Sequence, residues 1–217
     1  MKFLLTSAGI VNKSIEKAFF ELVDKKAQDI TLAFIPTAAN VEEGDKSWLI
    51  TDLYNLKNRN FKCIDVVDIS ALEQKIWKPR LELADVLVFS GGNTFHLMYW
   101  LKKSSLAHML LDLLKTRVYV GISAGSMVTT KNLVLSQSKQ LYYENLPKNY
   151  SNEGLGFFNF HFRPHLNSPD FPNVRHEFLK KIAKELKDPI YALDDQSALK
   201  IQDEKIEVIS EGEYIII

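Results

Sequence analysis

The sequence is poor in several features that would commit it to a specialised class of protein. Its 217 residues include one cysteine, and 27 Lys and Arg balance 27 Asp and Glu. A single cysteine, Cys63, excludes an internal disulfide framework and a metal site built from several thiolates. A net charge of zero provides no overall attraction to phosphate backbones or anionic lipid, so we expect neither nucleic acid nor a membrane as a partner.

Long apolar runs are also lacking. No stretch reaches the roughly 18 uninterrupted apolar residues of a membrane span. Met1 and Lys2, followed by the apolar Phe3, Leu4 and Leu5, resemble the start of a signal peptide, but the apolar stretch is short and no cleavage site of small residues follows it. We interpret this segment as a first β-strand and expect a cytoplasmic protein.

Short apolar runs alternate with longer segments of helical period up to residue 122. The runs predict five strands, at Lys2–Thr6, Ile30–Ile35, Cys63–Val67, Asp85–Phe89 and Val118–Ile122. Between them, apolar residues recur at the three- and four-residue spacing of amphipathic helices. Strands that are apolar almost throughout, alternating with helices, predict an α/β fold with a mostly parallel sheet and helices on both faces.

The last third of the chain has a different pattern. An aromatic-rich segment at Phe157–Phe162 and a helix at Val174–Leu186 precede four short predicted strands in quick succession, Ile190–Leu193, Ala198–Ile201, Ile206–Ile209 and Tyr214–Ile217. Closely spaced strands with polar turns predict a C-terminal antiparallel hairpin or meander that extends the sheet. Because no repeat or long linker interrupts the chain, we expect a single domain over residues 1–217.

The fifth predicted strand ends in the motif G-x-S-x-G, at Gly121-Ile-Ser123-Ala-Gly125. In a nucleophile elbow, this pattern holds a serine on a tight, strained turn between a strand and a helix, with small residues on either side. The hydroxyl of Ser123 would then lie above the edge of the sheet, where ligands collect in open α/β folds. The alternative is a small-residue turn in which Ser123 only caps the next helix.

The fourth predicted strand ends in Ser90-Gly91-Gly92-Asn93-Thr94. Adjacent glycines allow main-chain N–H groups to approach a ligand closely, as in an oxyanion hole or a phosphate nest. The alternative is a turn in which Asn93 or Thr94 caps a helix. Neither G-x-G-x-x-G nor a P-loop sequence is present, which disfavours dinucleotide and nucleotide binding.

A nucleophilic serine needs a base, and His165 is the best placed of the five histidines. It lies on a loop just after the predicted strand end at Phe162. His161 precedes it by four residues, but Pro164 breaks the helix that would bring both rings to one metal ion, and no H-E-x-x-H motif occurs. We therefore expect no metal site and no cofactor.

Four segments of the chain occur in the order found in the S51 peptidases. They are Phe34-Ile-Pro-Thr37-Ala38, Gly91-Gly92-Asn93-Thr94-Phe95, Gly121-Ile-Ser123-Ala-Gly125 and Phe160-His-Phe-Arg-Pro164-His165. The sequence resembles this family, which includes α-aspartyl dipeptidases and, more distantly, cyanophycinases. The resemblance implies a flavodoxin-like α/β fold of the class I glutamine-amidotransferase type, in agreement with the pattern of strands and helices.

The resemblance also implies roles for individual residues. Ser123 would be the nucleophile and His165 its base. The Gly91-Gly92-Asn93 turn and Ala124 would bind the substrate carbonyl, with the amides of Gly92 and Ala124 forming the oxyanion hole. Arg175, near the start of the late helix, would recognise the side-chain carboxylate of an N-terminal aspartate, which suits the paired donors of a guanidinium.

The third member of the triad is less well defined by the sequence. Where dipeptidases of the family carry an aspartate shortly after the nucleophile, this chain has Ser136-Gln137-Ser138. Glu144 is our first candidate, since cyanophycinase-type members use a glutamate. Asp194 and Asp195, at a predicted strand end, are the alternative, either as a triad member or as a simple turn.

These residues together predict a cytoplasmic serine peptidase, monomeric or homodimeric, that cleaves short peptides, including dipeptides with N-terminal aspartate, through an acyl-enzyme on Ser123. Two alternatives stay open. One is another acyl hydrolase on the same scaffold. The other is a binding protein that has kept the pocket and lost a complete triad.

Overall fold

The computed structural model describes residues 1–136 and 151–217. Within these ranges the strands are β1 (Lys2–Thr6), β2 (Thr31–Ile35), β3 (Cys63–Val66), β4 (Val86–Phe89), β5 (Val118–Ile122), β6 (His161–Arg163), β7 (Ile190–Leu193), β8 (Ser197–Gln202), β9 (Lys205–Ser210) and β10 (Tyr214–Ile216). The helices are α1 (Lys13–Val23), α2 (Ser47–Lys57), α3 (Gln74–Leu83), α4 (Thr94–Lys103), α5 (Leu106–Leu113), α6 (Ala124–Met127) and α7 (His176–Ala183). None of the helices within these ranges is long and apolar enough to cross a bilayer.

The main sheet has seven strands in the order β3-β2-β4-β5-β1-β8-β9. The first five are parallel to one another, and β8 and β9 add an antiparallel hairpin beside β1. The predicted fold class, a mostly parallel sheet with helices on both faces and short antiparallel strands near its C-terminal end, is therefore confirmed. The hairpin extends the sheet as predicted, but β7 and β10 leave it and pair with β6 in a second, three-stranded sheet.

The sheet is covered on both faces because its inner strands are apolar at almost every position. Successive side chains of a strand point to opposite faces, and Leu4 and Leu5 of β1 accordingly lie in two different core clusters. One cluster joins the sheet to α1 and α2, and the other joins it to α3, α4, α5 and α7. This explains why the five parallel strands could be recognised as short continuous apolar runs.

The aromatic-rich segment differs from its predicted structure. The strand there is His161–Arg163 rather than 157–162. The phenylalanines before it pack in an irregular stretch instead. The ring of Phe158 stacks on that of Phe160 at 5.1 Å and meets that of Phe3 edge-on at 4.9 Å. Their β propensity reflects packing on an apolar surface, which an irregular chain satisfies equally well here.

The parallel strands bring several loops to one edge of the main sheet. The chain leaves β1 at Ser7, β4 at Ser90 and β5 at Ser123, and these three strands are neighbours in the order β4-β5-β1. The carboxyl edge of such a sheet is where open α/β folds bind their ligands. The two glycine-rich turns found in the sequence therefore lie side by side.

Candidate active site

Ser123 occupies a strained turn between β5 and α6. Its φ of 48° and ψ of −107° are unusual for a residue with a side chain, and its N–H donates to the carbonyl of Thr6 over 3.0 Å. The turn is tight enough that a methyl group on Gly125 would lie 2.2 Å from the carbonyl oxygen of Phe89. The small residue of the motif is thus a steric requirement, as the nucleophile-elbow interpretation expects.

His165 joins this serine to a carboxylate. Its Nε2 lies 2.9 Å from Ser123 Oγ, and its Nδ1 lies 2.6 Å from Asp195 Oδ1. With the ring neutral, these contacts fit a proton on Nδ1 that is donated to Asp195, which leaves Nε2 to accept from the serine hydroxyl. The imidazole side chain is only 14% exposed, so it is largely shielded from competing water.

Asp194 and Asp195 are adjacent in sequence but have different surroundings. The carboxylate of Asp194 points into its own turn, where it accepts hydrogen bonds from the main-chain N–H groups of Gln196 (3.0 Å) and Glu213 (2.6 Å) and from the hydroxyl of Ser197 (2.5 Å). These bonds fix the turn between β7 and β8, so that the next residue, Asp195, faces His165. Asp194 is thus the carboxylate that forms the turn, and Asp195 is the one that contacts the imidazole.

Two carboxylates, Glu144 and Glu153, occur in the sequence between Ser123 and His165. Glu153 is exposed and pairs with Lys102 over 3.5 Å. Glu144, the first candidate from the sequence, lies outside the described residues. Among residues 1–136 and 151–217, Asp195 is the carboxylate hydrogen-bonded to His165.

A phenylalanine that the sequence did not single out packs on the base. The ring of Phe171 stacks on the imidazole of His165 at a centroid distance of 4.3 Å and an angle of 5°. Phe171 belongs to an irregular segment, spaced six residues from the histidine and without periodicity, so no pattern in the sequence indicated the contact. Parallel stacking restricts the rotation of the imidazole about its side-chain bonds.

Arg175 organises the segment that carries this phenylalanine. Its Nη1 donates to the carbonyls of Phe171 and Val174, both over 3.0 Å, and its Nη2 donates to the carbonyl of Ser168 over 3.1 Å. The guanidinium expected to recognise a substrate carboxylate is thus engaged with three main-chain oxygens. Through them it supports the segment that holds Phe171 against His165.

The turn after β4 lies against the nucleophile. A methyl group on Gly91 would be 3.4 Å from Ser123 Cβ. Gly92 has a φ of 123°, and a methyl group there would be 2.3 Å from the carbonyl oxygen of Ala38, so no other residue fits this position without rearrangement. The structure therefore brings the Gly91-Gly92 turn next to Ser123, which is followed directly by Ala124, the first residue of α6.

The side chain of Asn93 caps helix α4. Its side-chain oxygen accepts the N–H of His96 over 3.0 Å, which makes it the N-cap of α4, and the residue is fully buried. The capping alternative considered for this residue therefore describes its position. Its capping bond fixes the start of α4 directly after the two glycines.

Helix α2 adds two residues that sequence reasoning missed. The Trp48 ring lies 3.6 Å from the point where a methyl group on Gly91 would sit. One turn further along the same face of α2 is Asp52, which is only 9% exposed and whose Oδ1 lies 3.5 Å from the methyl position of Gly9. The only signal for Asp52 in the sequence is an acidic residue among the apolar positions of an amphipathic helix.

Burial of Asp52 makes the stability of the protein depend on pH. It raises the pKa of the carboxyl from 3.8 to about 7, so between these values the folded protein holds a proton that the unfolded chain releases. The free energy of unfolding contributed by this group therefore falls as the pH rises from about 4 to about 7. Above pH 7 the carboxylate is charged and costs up to about 4 kcal/mol.

The variant Asp52→Asn is expected to remove this cost. Its advantage in unfolding free energy over the wild type should be about 2–3 kcal/mol larger at pH 8 than at pH 5, measured by urea denaturation of both proteins at the two pH values. Glu43→Gln, at an exposed position before α2, is the control and should show the same difference from wild type at both. An equal effect of Asp52→Asn at pH 5 and pH 8 would contradict the account.

A metal site is not among the features of the described chain. In residues 1–136 and 151–217, no group of three or more His, Cys, Asp or Glu side chains is arranged to hold a metal ion. His161, considered with His165 in the sequence, is buried in β6, and desolvation lowers its pKa.

Comparison with known proteins places this fold and site in a family. The model of peptidase family S51 matches residues 3–209. The chain is 26% identical over 208 residues to an uncharacterized peptidase of Listeria innocua. The aligned residues cover 89% of this chain and 90% of that protein. It is 28% identical over 193 residues to Peptidase E of Haemophilus influenzae, with 84% of this chain and 76% of that protein covered.

Solved structures show the same fold. A crystal structure described as a Peptidase E protein from Listeria monocytogenes superposes with a TM-score of 0.79 at 24% identity, covering 97% of this chain and 98% of that one. A peptidase from an acI-B1 Actinobacterium superposes with a TM-score of 0.64 at 18% identity. The family match and the Peptidase E relatives support a peptidase. The chain belongs to peptidase family S51, as its four ordered motifs indicated.

Proposed function

We propose that this peptidase is a serine-type hydrolase of short peptides, with Ser123, His165 and Asp195 as its catalytic triad. The observation that carries the proposal is the pair of contacts made by one imidazole, 2.9 Å to the serine oxygen and 2.6 Å to the carboxylate. A nucleophile, its base and an orienting acid in this order define the triad irrespective of fold. The contact between Asp195 and His165 favours a catalytic protein over one that only binds its ligand.

The reaction begins with attack of Ser123 Oγ on the scissile carbonyl carbon. His165 Nε2 takes the hydroxyl proton, and Asp195 stabilises the imidazolium that forms. The carbonyl oxygen gains the negative charge and accepts hydrogen bonds from the amides of Gly92 and Ala124, the second of which lies in the first turn of a helix, where N–H groups have no partner within the helix.

Collapse of this intermediate breaks the C–N bond. His165 returns the proton to the leaving amine, and an acyl-enzyme on Ser123 is left. A water molecule, deprotonated by the same imidazole, then attacks the ester carbonyl and releases the acid product with the serine hydroxyl restored. The left-handed turn of Ser123 and the stacking of Phe171 hold nucleophile and base in place between these two half-reactions.

Short peptides are supported as substrates by the surroundings of the nucleophile. Trp48 and the Gly91-Gly92 turn stand close to Ser123 on one side, and the segment around Phe171 stands over His165 on the other. These side chains leave little room for a long peptide that would extend from the scissile bond in both directions. A preference for N-terminal aspartate would depend on Arg175, and the three main-chain hydrogen bonds of its guanidinium argue against that role.

The test for Arg175 compares substrates that differ in one charge. Because its guanidinium holds three main-chain carbonyls, we expect Arg175→Ala to lower kcat/KM for Asp-Leu and Asn-Leu by the same factor, about tenfold, and to lower the Tm. Dipeptide hydrolysis with both substrates measures this. A loss confined to Asp-Leu, with an unchanged Tm, would assign the guanidinium to the substrate carboxylate instead.

The proposed activity is tested by labelling and turnover together. A fluorophosphonate should modify Ser123 in the folded protein, with the site identified by peptide mass spectrometry, and the same preparation should release leucine from dipeptides. Neither labelling nor turnover of any dipeptide would overturn the proposal. Cleavage of simple esters with no turnover of dipeptides would favour another acyl hydrolase on this scaffold.

A further inference from the structure

A carboxylate lies close to the proposed nucleophile without a role in the triad. We propose that Asp52 binds the free α-ammonium group of the peptide substrate, so that the enzyme acts on the residue at the amino terminus. The inference rests on the proposed function and adds a substrate class to it. Three observations support it: the position of Asp52, the absence of an ion-pair partner for it among the described residues, and the need of a buried carboxylate for a positive charge nearby.

The position of Asp52 follows from helix α2. Trp48 and Asp52 are four residues apart and therefore lie on one face of the helix. The Trp48 ring and Ser123 Cβ both lie within 3.6 Å of the same point above Gly91. Asp52 is one turn further along α2 and lies near Ile122, the residue that precedes the nucleophile.

The contacts around Asp52 come from an apolar side chain and a glycine. Its Oδ1 and the Cδ1 of Ile122 lie 3.5 and 3.4 Å, respectively, from the methyl position of Gly9. A glycine at the end of β1 keeps that space clear of a side chain. Gly9 and Ile122 are therefore the neighbours of Asp52, and Ile122 directly precedes the nucleophile.

No cation of the described chain neutralises this carboxylate. In residues 1–136 and 151–217, Asp52 takes part in none of the ion pairs, and desolvation alone shifts its pKa. A buried carboxylate without a partner costs stability, and groups kept at such a cost cluster at functional sites. The missing partner is therefore best supplied by a ligand with a positive charge.

The α-ammonium group is the cation that every peptide with a free amino terminus provides. It is separated from the carbonyl carbon of its own residue by one atom, so a substrate that places this carbonyl at Ser123 keeps its ammonium group beside the nucleophile. The carboxylate of Asp52, one helical turn from Trp48, is suited to bind an ammonium group so close to the scissile carbonyl. It would also exclude peptides in which the scissile bond lies further along the chain, because their charge could not reach Asp52.

The experiment measures binding in a background without turnover, so that it stands apart from the catalytic proposal. Ser123→Ala and the double variant Ser123→Ala/Asp52→Asn are titrated calorimetrically with Ala-Leu, N-acetyl-Ala-Leu and N-acetyl-Lys-Leu. We expect Asp52→Asn to weaken binding of Ala-Leu at least 30-fold and to change the binding of N-acetyl-Ala-Leu less than threefold. Glu43→Gln in the same background removes an exposed charge near α2 and should leave all three affinities unchanged.

Two outcomes would overturn the inference. One is an equal loss of affinity for Ala-Leu and N-acetyl-Ala-Leu, which would make Asp52 a structural residue. The other is a 30-fold loss for N-acetyl-Lys-Leu without a loss for Ala-Leu, which would assign the carboxylate to a basic side chain. Failure of the catalytic proposal looks different, since the wild type would then bind Ala-Leu through Asp52 without releasing leucine.

The substitution Asp52→Asn can also be assayed in the active protein, with Ser123 present. If Ser123 is labelled and leucine is released, Asp52→Asn should lower kcat/KM for Ala-Leu by about 100-fold, mainly through KM, and leave the rate of fluorophosphonate labelling within threefold of wild type. An unchanged ratio of kcat/KM for Ala-Leu over N-acetyl-Ala-Leu in a labelled, active enzyme would overturn the inference while the triad stands.

Discussion

Ser123→Ala is expected to lower kcat for dipeptide hydrolysis by about 10⁶-fold, because the reaction loses the atom that forms the acyl-enzyme. The main-chain donors of Gly92 and Ala124 remain and account for the residual rate over water. Single-turnover release of leucine, followed over days, measures the effect. Binding of a dipeptide should persist, since the hydroxyl is small and the walls of the site are intact.

The matched control is Ser126, three residues further along the same turn. Its hydroxyl donates to the carbonyl of Thr6 over 2.8 Å and accepts the N–H of Thr6 over 2.9 Å. Ser126→Ala should therefore lose about 1–3 kcal/mol of stability and keep both activity and fluorophosphonate labelling. A Ser123→Ala protein with more than one-hundredth of wild-type kcat would remove Ser123 from the mechanism.

Asp195→Asn is expected to lower kcat by about 10⁴-fold with little change in KM. An amide in place of the carboxylate can present its N–H to Nδ1, which selects the wrong tautomer of His165 and removes the charge that stabilises the imidazolium. The measurement is kcat for a dipeptide across pH 5–9. Asp194→Asn, by comparison, disturbs the turn and should lower the Tm as well as the rate.

Glu144→Gln separates the two carboxylates considered for the third position of the triad. With Asp195 hydrogen-bonded to the base, we expect Glu144→Gln to change kcat less than threefold. If Glu144→Gln instead cost as much as 10⁴-fold and Asp195→Asn cost little, the orienting role would belong to Glu144. The two variants assayed side by side on one dipeptide decide between them.

Much of the fold could be predicted because its inner strands are buried on both faces. The runs that became β1 and β5 are mostly apolar, and their ends coincide with the predicted ends. The positions of Ser123 and Gly91-Gly92 follow directly, since parallel strands present their carboxyl ends at one edge. His165 could be proposed as the base because it lies on a loop just after a predicted strand end, although that strand, β6, belongs to the second sheet.

The rest of the site depends on contacts that leave no local pattern. Asp195 follows His165 by thirty residues, with α7 and β7 between them, and its orientation is set by bonds to its neighbour Asp194. Arg175 illustrates the converse, because its place in the chain matched a recognition role while its hydrogen bonds run to main-chain carbonyls. Asp52 differs in sequence from a solvated helical charge only in standing among apolar positions, and its burial comes from the packing of α2 near Gly9 and Ile122.

The turn that carries Asp195 is completed by a segment that follows it. The N–H of Glu213 donates to the Asp194 carboxylate, the N–H of Asp194 donates to the carbonyl of Glu213, and β10 pairs with β7 directly beyond. During synthesis the ribosome therefore finishes the nucleophile and the imidazole well before the strand that aligns their acid. If Ser123, His165 and Asp195 form the proposed triad, we expect Asp195 to be aligned only after β10 has paired with β7.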